Sequence, residues 1–167
     1  MTKTVQMQTS IGALTIELDD DKAPVSVANF LAYLNNGHYN GTVFHRVIKG
    51  FMVQGGGFEP GMKQKPVLGA IKNEADNGLK NKHYTLAMAR TNDPHSATAQ
   101  FFINTTDNGF LDFKAPNASG WGYAVFGRVT EGHDTVDGME AARTGRKGMH
   151  DDVPLEDMLI LSAVEVK

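Results

Sequence analysis

The sequence has no cysteine among its 167 residues, which excludes disulfides, thiol nucleophiles and cysteine metal ligands. It has no excess of one charge either, because 16 Lys and Arg stand against 19 Asp and Glu, so we expect no nucleic-acid surface. No apolar run approaches the ~20 residues of a membrane helix, and the N-terminus has no apolar signal segment. We therefore expect a cytoplasmic protein that does not bind a membrane.

Repeats, low-complexity segments and linkers rich in Pro and Ser are also absent, which predicts a single domain over residues 1–167. Strand-like patterns dominate. An antiparallel sheet of this size avoids exposed edges best by closing on itself, so we predict a mainly β fold, a closed eight-stranded antiparallel β-barrel with two α-helices. The eight predicted strands cover residues 5–8, 14–18, 44–48, 51–54, 84–89, 100–104, 124–130 and 158–166.

Two segments have helical patterns. Pro24 suits a first helical turn, where its missing N–H is no loss, and an apolar stripe at helical spacing follows it. Gly37 is a suitable left-handed residue after the helix end. A second, short helix is predicted to start after Asp134 as its N-cap. The stripe of the first helix consists of Val27, Phe30, Leu31 and Leu34.

The most informative segment runs from residue 44 to 57, with the sequence FHRVIKGFMVQGGG. Two apolar runs flank Lys49-Gly50, which predicts a β-hairpin that leads at its glycines into a mobile loop. Residues 55–83 are rich in glycine with little periodicity, and a loop of that length is usually functional or partly structured. A two-residue turn would place Arg46 opposite Val53. A three-residue turn would place Arg46 opposite Gln54, with Met52 on the same face. The residues alone leave both registers open.

The segment 100–104 adds a second observation. In a strand, Phe101 and Ile103 point to one side, and Phe102 points to the other side with two polar neighbours, Gln100 and Asn104. The first side suits a core. An aromatic residue on the polar side suits the wall of an apolar binding site.

Other chemistries find little support. The three glycines at 55–57 lack the spacing of a phosphate loop, and no serine lies in a nucleophile-elbow context. The six histidines show no ligand spacing, and we interpret the cluster at 150–152 as a polar turn. We expect no metal and no cofactor.

The order of these segments closely resembles the cyclophilin-type peptidyl-prolyl cis-trans isomerases, in particular their cytoplasmic bacterial branch. The resemblance spans nearly the whole chain and implies a barrel closed at its ends by two helices. It also favours the three-residue turn. It is densest at residues 44–48, 50–56, 86–89, 100–103 and 125–127.

The resemblance implies a site on the outside of the barrel. Arg46 resembles the catalytic arginine of the family, and Gln54 and Gln100 match polar residues of the site. Ala89 and Arg90 fall where the backbone of the family pairs with an extended peptide. The residues that match the apolar pocket for the substrate proline are Phe51, Met52, Phe102 and Leu111.

Three positions depart from common family patterns. Arg90 stands where many members have asparagine, Phe110 where cyclosporin-sensitive eukaryotic members have tryptophan, and Tyr123 where those members often have histidine. Phe110 and Tyr123 are aromatic, so the pocket is retained. Because Phe110 lacks an indole N–H donor, the resemblance implies weak cyclosporin binding.

The resemblance thus implies a monomeric isomerase that accelerates rotation about Xaa-Pro bonds in peptides and folding proteins. The alternative is a proline-peptide binding module or chaperone that uses the same groove without turnover. Arg46 separates them, because binding needs the apolar wall and the backbone, whereas catalysis also needs the cation.

Overall fold

A computed structural model describes residues 2–166 of the chain. It is mainly β, with two α-helices, α1 (Pro24–Asn35) and α2 (His133–Glu140), neither of which is long and apolar enough to cross a membrane. Short 3-10 helices lie at Ala75–Asn77 and Gly109–Leu111. The strands are β1 (Thr2–Thr9), β2 (Ala13–Asp19), β3 (Val43–Ile48), β4 (Met52–Glu59), β5 (Lys63–Gln64), β6 (Thr85–Met88), β7 (Phe101–Asn104), β8 (Val125–Glu131), β9 (Thr144–Lys147), β10 (His150–Pro154) and β11 (Ile160–Val166).

The main sheet is antiparallel and strongly curled, with the order β11-β1-β2-β8-β6-β7-β4-β3. Its two end strands meet at one isolated bridge, Val43–Leu159. There the Phe44 N–H donates to the Met158 carbonyl at 2.9 Å and the Ile160 N–H donates to the Thr42 carbonyl at 2.8 Å. Beyond this bridge, β3 and β11 form no ladder within residues 2–166, so the expected closed barrel is not confirmed.

Helix α1 packs its buried residues into the inner core, next to β2, β8 and β11. It begins at Pro24 as predicted, and all four residues of the apolar stripe are buried. Its N-terminal N–H groups are not capped by the preceding residue. Instead, the Glu74 carboxylate accepts from the Ser26 N–H at 2.7 Å and from the Val25 N–H at 3.2 Å, which satisfies two donors of the first turn. The contact also ties the segment before β6 to the helix.

Several predicted boundaries were wrong. Residues 55–57 do not open a loop, because they lie inside β4 and are buried, and the expected loop 55–83 also contains β5 and a 3-10 helix. Helix α2 begins at His133 after Gly132, which has φ 95°, and so Asp134 is not its N-cap. His150 is not part of a turn, because it starts β10, which pairs with β9 in a second small sheet that the sequence pattern did not predict.

His45 is buried where this small sheet packs beside β3. Its ring lies 4.5 Å from the Phe58 ring, which in turn lies 5.4 Å from the His150 ring. His45 Nδ1 is buried and has no hydrogen-bond partner among residues 2–166. Burial, together with the nearby His150 and Arg46, lowers the pKa of His45 from 6.5 to about 4. The neutral form is favoured because an imidazolium here would lose its hydration.

We predict that acid destabilises the protein through His45. Between pH 6.5 and about 4 the unfolded chain binds a proton at this residue that the folded chain does not bind, so the free energy of unfolding falls as pH falls. From pH 7 to 5 this term amounts to about 2 kcal/mol. Urea unfolding of wild type and His45→Phe at both pH values should show this extra loss in wild type. Equal losses in the two proteins would contradict the prediction.

Candidate active site

The β3–β4 hairpin places Arg46 on the outer face of the sheet. Ile48 pairs with Met52 and Arg46 with Gln54, so the turn has three residues, as the resemblance favoured. Gly50 takes φ 76° in this turn, and the Phe51 N–H donates to the Ile48 carbonyl at 3.0 Å. The two-residue alternative is thereby excluded.

A β-bulge at His45 changes which residues of β3 face the inner core. The pairing steps from Arg46–Gln54 to Phe44–Gly55, so His45 is the extra residue. Phe44 and Val47 therefore both face the inner core although they are three residues apart. A regular strand would send them to opposite faces.

Outside the sheet lies a second apolar cluster, separate from the inner core. Phe102 faces this cluster, and its neighbours Phe101 and Ile103 face the inner core, as the alternation predicted. The cluster consists of buried Met52, Ala87, Phe102, Leu111 and Val125, with Ile48, Phe51, Leu79, Ala89 and Tyr123 packed at its edges. It forms a shallow apolar surface beside Arg46.

Aromatic rings shape the margin of this outer cluster. The Tyr123 ring meets the Phe102 ring edge to face at 5.7 Å, and the Phe110 ring stacks on Phe51 at 5.7 Å. Phe110 is 66% exposed, so it lies at the rim and not within the cluster. The Tyr123 N–H donates to the Leu111 carbonyl at 2.8 Å, which links two sides of the margin.

Two glutamines form a polar border next to Arg46. Gln54 Nε2 donates to Gln100 Oε1 at 2.9 Å. The Gln100 side chain lies directly over Gly57, where a Cβ atom would approach it to 2.5 Å. Glycine at 57 therefore permits the position of Gln100.

The guanidinium of Arg46 is available to a ligand. Arg46 is exposed, and within residues 2–166 its side chain makes no hydrogen bond or ion pair under the usual distance limits. Its fixed planar donors therefore have no competing partner in the part of the chain described.

The segment at 89–90 offers a backbone edge to the same surface. The Ala89 N–H donates to the Gln100 carbonyl at 3.0 Å, whereas the Arg90 N–H and the carbonyls of both residues have no partner among residues 2–166. Such free groups can pair with an extended chain.

All eleven residues proposed from the sequence thus surround one outer surface, with Arg46, Gln54 and Gln100 on one side and the aromatic margin on the other. Sequence reasoning missed Ala87 and Val125 at the base of the cluster. Ala87 pairs with Phe102 across β6 and β7, and no local signal in the sequence indicates that pairing.

Sequence reasoning also missed a buried network of asparagines. Asn108 Nδ2 donates to the Phe51 carbonyl at 2.9 Å and to Asn104 Oδ1 at 2.8 Å. Asn104 Nδ2 donates to Asn81 Oδ1 at 3.0 Å, and the Asn81 N–H donates to Asp112 Oδ1 at 2.7 Å. The network joins the hairpin turn to the segment that carries Leu111.

Comparisons with known proteins agree with this geometry. The family model described as "Cyclophilin type peptidyl-prolyl cis-trans isomerase/CLD" matches residues 4–165. The chain is 60% identical over 160 residues to peptidyl-prolyl cis-trans isomerase cyp18 of Streptomyces antibioticus, covering 96% of both chains. It is also 60% identical over 158 residues to peptidyl-prolyl cis-trans isomerase B of Escherichia coli, covering 95% of this chain and 96% of the relative.

A solved structure is similar over nearly the same length. It is a cyclophilin type peptidyl-prolyl cis-trans isomerase of Cryptosporidium parvum, crystallised in the presence of the dipeptide Ala-Pro. The TM-score is 0.80 at 26% identity, covering 98% of this chain and 99% of that one.

We predict that Asn108→Ala weakens both the fold and the site. It removes two buried hydrogen bonds and leaves the Asn104 oxygen without its donor, which should lower the free energy of unfolding by about 2–4 kcal/mol. Urea unfolding measures this loss, with Asn92→Ala as an exposed control expected to stay within about 0.5 kcal/mol of wild type. Equal stability of Asn108→Ala and Asn92→Ala would show that the network is dispensable.

Proposed function

The chain belongs to the cyclophilin-type peptidyl-prolyl cis-trans isomerases and accelerates rotation about Xaa-Pro bonds, and we propose that Arg46 is its catalytic residue. The observation that carries this proposal is a guanidinium that has no hydrogen-bond or ion-pair partner in residues 2–166 and lies beside an apolar cluster. The substrate is a proline-containing peptide or a folding chain.

The reaction needs a positioned donor and no covalent step. An Xaa-Pro bond rotates slowly because amide resonance must be broken, a barrier of roughly 18–20 kcal/mol. In the twisted state the prolyl nitrogen regains its lone pair and becomes a better hydrogen-bond acceptor. A guanidinium aimed at that nitrogen therefore stabilises the twisted state more than the planar one, which is the condition for catalysis.

The outer cluster supplies the complementary part. We propose that Met52, Phe102 and Leu111 hold the proline ring with Phe51, while the carbonyl before the proline rotates. The ring also displaces water from the surface, which strengthens the hydrogen bond from Arg46. A barrier lower by ~7 kcal/mol would accelerate exchange about 10⁵-fold.

The remaining site residues hold the chain on either side of the proline. In our proposal an extended peptide pairs with the free backbone groups of Ala89 and Arg90, while Gln54 and Gln100 contact its amides. The aromatic margin, with Phe110 and Tyr123, borders the pocket. With the peptide held in this way, the isomerising bond lies next to Arg46.

We further propose that residues 1–167 form one domain, that its barrel is closed in solution and that the protein is a monomer. We also propose that it acts in the cytoplasm and binds neither nucleic acids nor membranes. The two backbone bonds at the Val43–Leu159 bridge support closure. The 60% identity to two bacterial isomerases supports the cytoplasmic bacterial branch. Cell fractionation and sedimentation would test location and monomeric state.

We predict that Arg46→Ala lowers kcat/KM at least about 100-fold, or about 2.7 kcal/mol, because the donor to the prolyl nitrogen is lost. NMR exchange spectroscopy on a short Xaa-Pro peptide measures the rate. Arg143→Ala, which removes an exposed arginine after α2, is the matched control and should retain wild-type activity. A folded Arg46→Ala protein with full activity would refute the role of Arg46.

We predict that Phe110→Trp tightens the weak cyclosporin binding expected of this protein. Phe110 is exposed at the rim, so the larger ring can be accommodated, and the indole adds an N–H donor. Calorimetric titration of both proteins with cyclosporin measures the dissociation constants. Unchanged affinity would show that position 110 is not the determinant.

A further inference from the structure

Arg90 carries a guanidinium that the fold holds in place. Its Nε donates to the Gly122 carbonyl at 3.0 Å, and its Nη1 donates to the Thr91 carbonyl at 2.8 Å. Its Cζ also lies 4.3 Å from the centre of the Tyr123 ring. Because three contacts already fix the side chain, a ligand that binds it loses little side-chain entropy.

The charge of Arg90 is not neutralised by the protein. Within residues 2–166 no carboxylate lies within 4.0 Å of its guanidinium nitrogens. Both protein acceptors of Arg90 are neutral backbone carbonyls, and one amino group, Nη2, has no partner in the described residues. Asp112, which borders a neighbouring cleft, instead accepts from the backbone and side chain of Asn81. Arg90 thus retains both charge and donors for a ligand.

Two clefts meet at Arg90, and they differ in charge. The first is bordered by Gln54, Gln100, Thr91, Ser96 and Thr98, so Arg90 is its sole charged residue among those described. The second contains Asp112 and Lys114 in addition to Arg90. Both clefts have a net formal charge of +1, because Lys114 offsets Asp112 in the second, but only the second places a carboxylate beside a bound anion. The first cleft, which we name the Arg90 cleft, is therefore the better site for an anion.

We propose that Arg90 makes this isomerase selective for chains that carry an aspartate or glutamate close to the proline, with the carboxylate bound in the Arg90 cleft. The cleft shares Gln54 and Gln100 with the border of Arg46, so a residue near the isomerising proline reaches it. The inference rests on the proposed function, because it takes the outer cluster as the proline site.

A carboxylate suits this cleft better than a neutral amide of the same shape. Guanidinium presents planar donors that match a carboxylate. The hydroxyl of Thr98 can add one more donor, whereas those of Thr91 and Ser96 already donate to Ser96 Oγ and to the Asp93 carbonyl. Because the cleft is open to water, the preference is expected to be moderate and sensitive to salt.

The test compares pairs of peptides that differ only by Glu or Gln, placed at either of the two positions before or after the proline. At low salt, wild type should turn over the Glu peptide about three- to ten-fold better in kcat/KM at one position at least, and the ratio should shrink at ~0.5 M salt. In Arg90→Gln the ratio should approach one. In Arg143→Gln, which changes the net charge equally, the ratio should stay as in wild type.

Taking the ratio for each protein cancels any general loss of activity. A wild-type ratio of one at every position would overturn the proposal, as would an unchanged ratio in Arg90→Gln. Turnover of the Gln peptide and its dependence on Arg46 test the proposed function separately.

A second measurement on wild type applies if Arg90→Gln does not fold. The Arg90 Nε–H, held on the Gly122 carbonyl, should be observable by NMR. A shift with the Glu peptide that exceeds the shift with the Gln peptide supports the proposal, and equal shifts overturn it.

Discussion

The pairing of Arg46 with Gln54 is the constraint on which the site depends. A one-residue slip would pair Arg46 with Val53 and so put the cation on the same face as a core residue, because residues opposite each other in a strand pair share a face. Two local features hold the register, the three-residue turn with Gly50 at φ 76° and the bulge at His45. The burial of Val47 and Val53 in the inner core opposes any slip. The contacts that stabilise the fold therefore also fix the position of the Arg46 guanidinium.

The outer cluster exists because β4 and β7 are apolar on both faces. Val53 and Ile103 belong to the inner core, while Met52 and Phe102 form the outer surface. The central residues of this outer face are buried, and the half-buried Phe51, Ala89 and Tyr123 lie at its edge. A mostly apolar site with a few polar groups beside it suits ligand binding. A reaction that breaks no covalent bond needs little more than this surface and one fixed donor beside it. The buried asparagine network then keeps the hairpin turn and the segment of Leu111 at a fixed separation.

Local pattern predicted the elements better than their limits or their contacts. Alternation placed Phe102 opposite Phe101 and Ile103 correctly, and helical spacing found the buried stripe of α1. The three glycines at 55–57 predicted a loop, and this prediction was wrong. They lie inside a strand, where close packing against Gln100 and the rings of Phe44, Tyr39 and Phe101 leaves no room for a Cβ atom. The residues alone did not decide between a two-residue and a three-residue hairpin turn, and only the family resemblance favoured the correct one. Contacts such as Ala87–Phe102 and Asn108–Phe51 join distant segments, and no local pattern reports them.

The central claim is that the proline ring sits on the outer cluster with its amide next to Arg46. The most direct measurement is a set of intermolecular nuclear Overhauser effects between the protein and a bound Xaa-Pro peptide. The account predicts contacts from the proline ring protons to the Met52 methyl group and the Phe102 ring, with the Arg46 Nε–H shifted by the peptide. Proline contacts confined to another surface, such as the groove bordered by Ile11 and Leu155, with Arg46 unaffected, would contradict it.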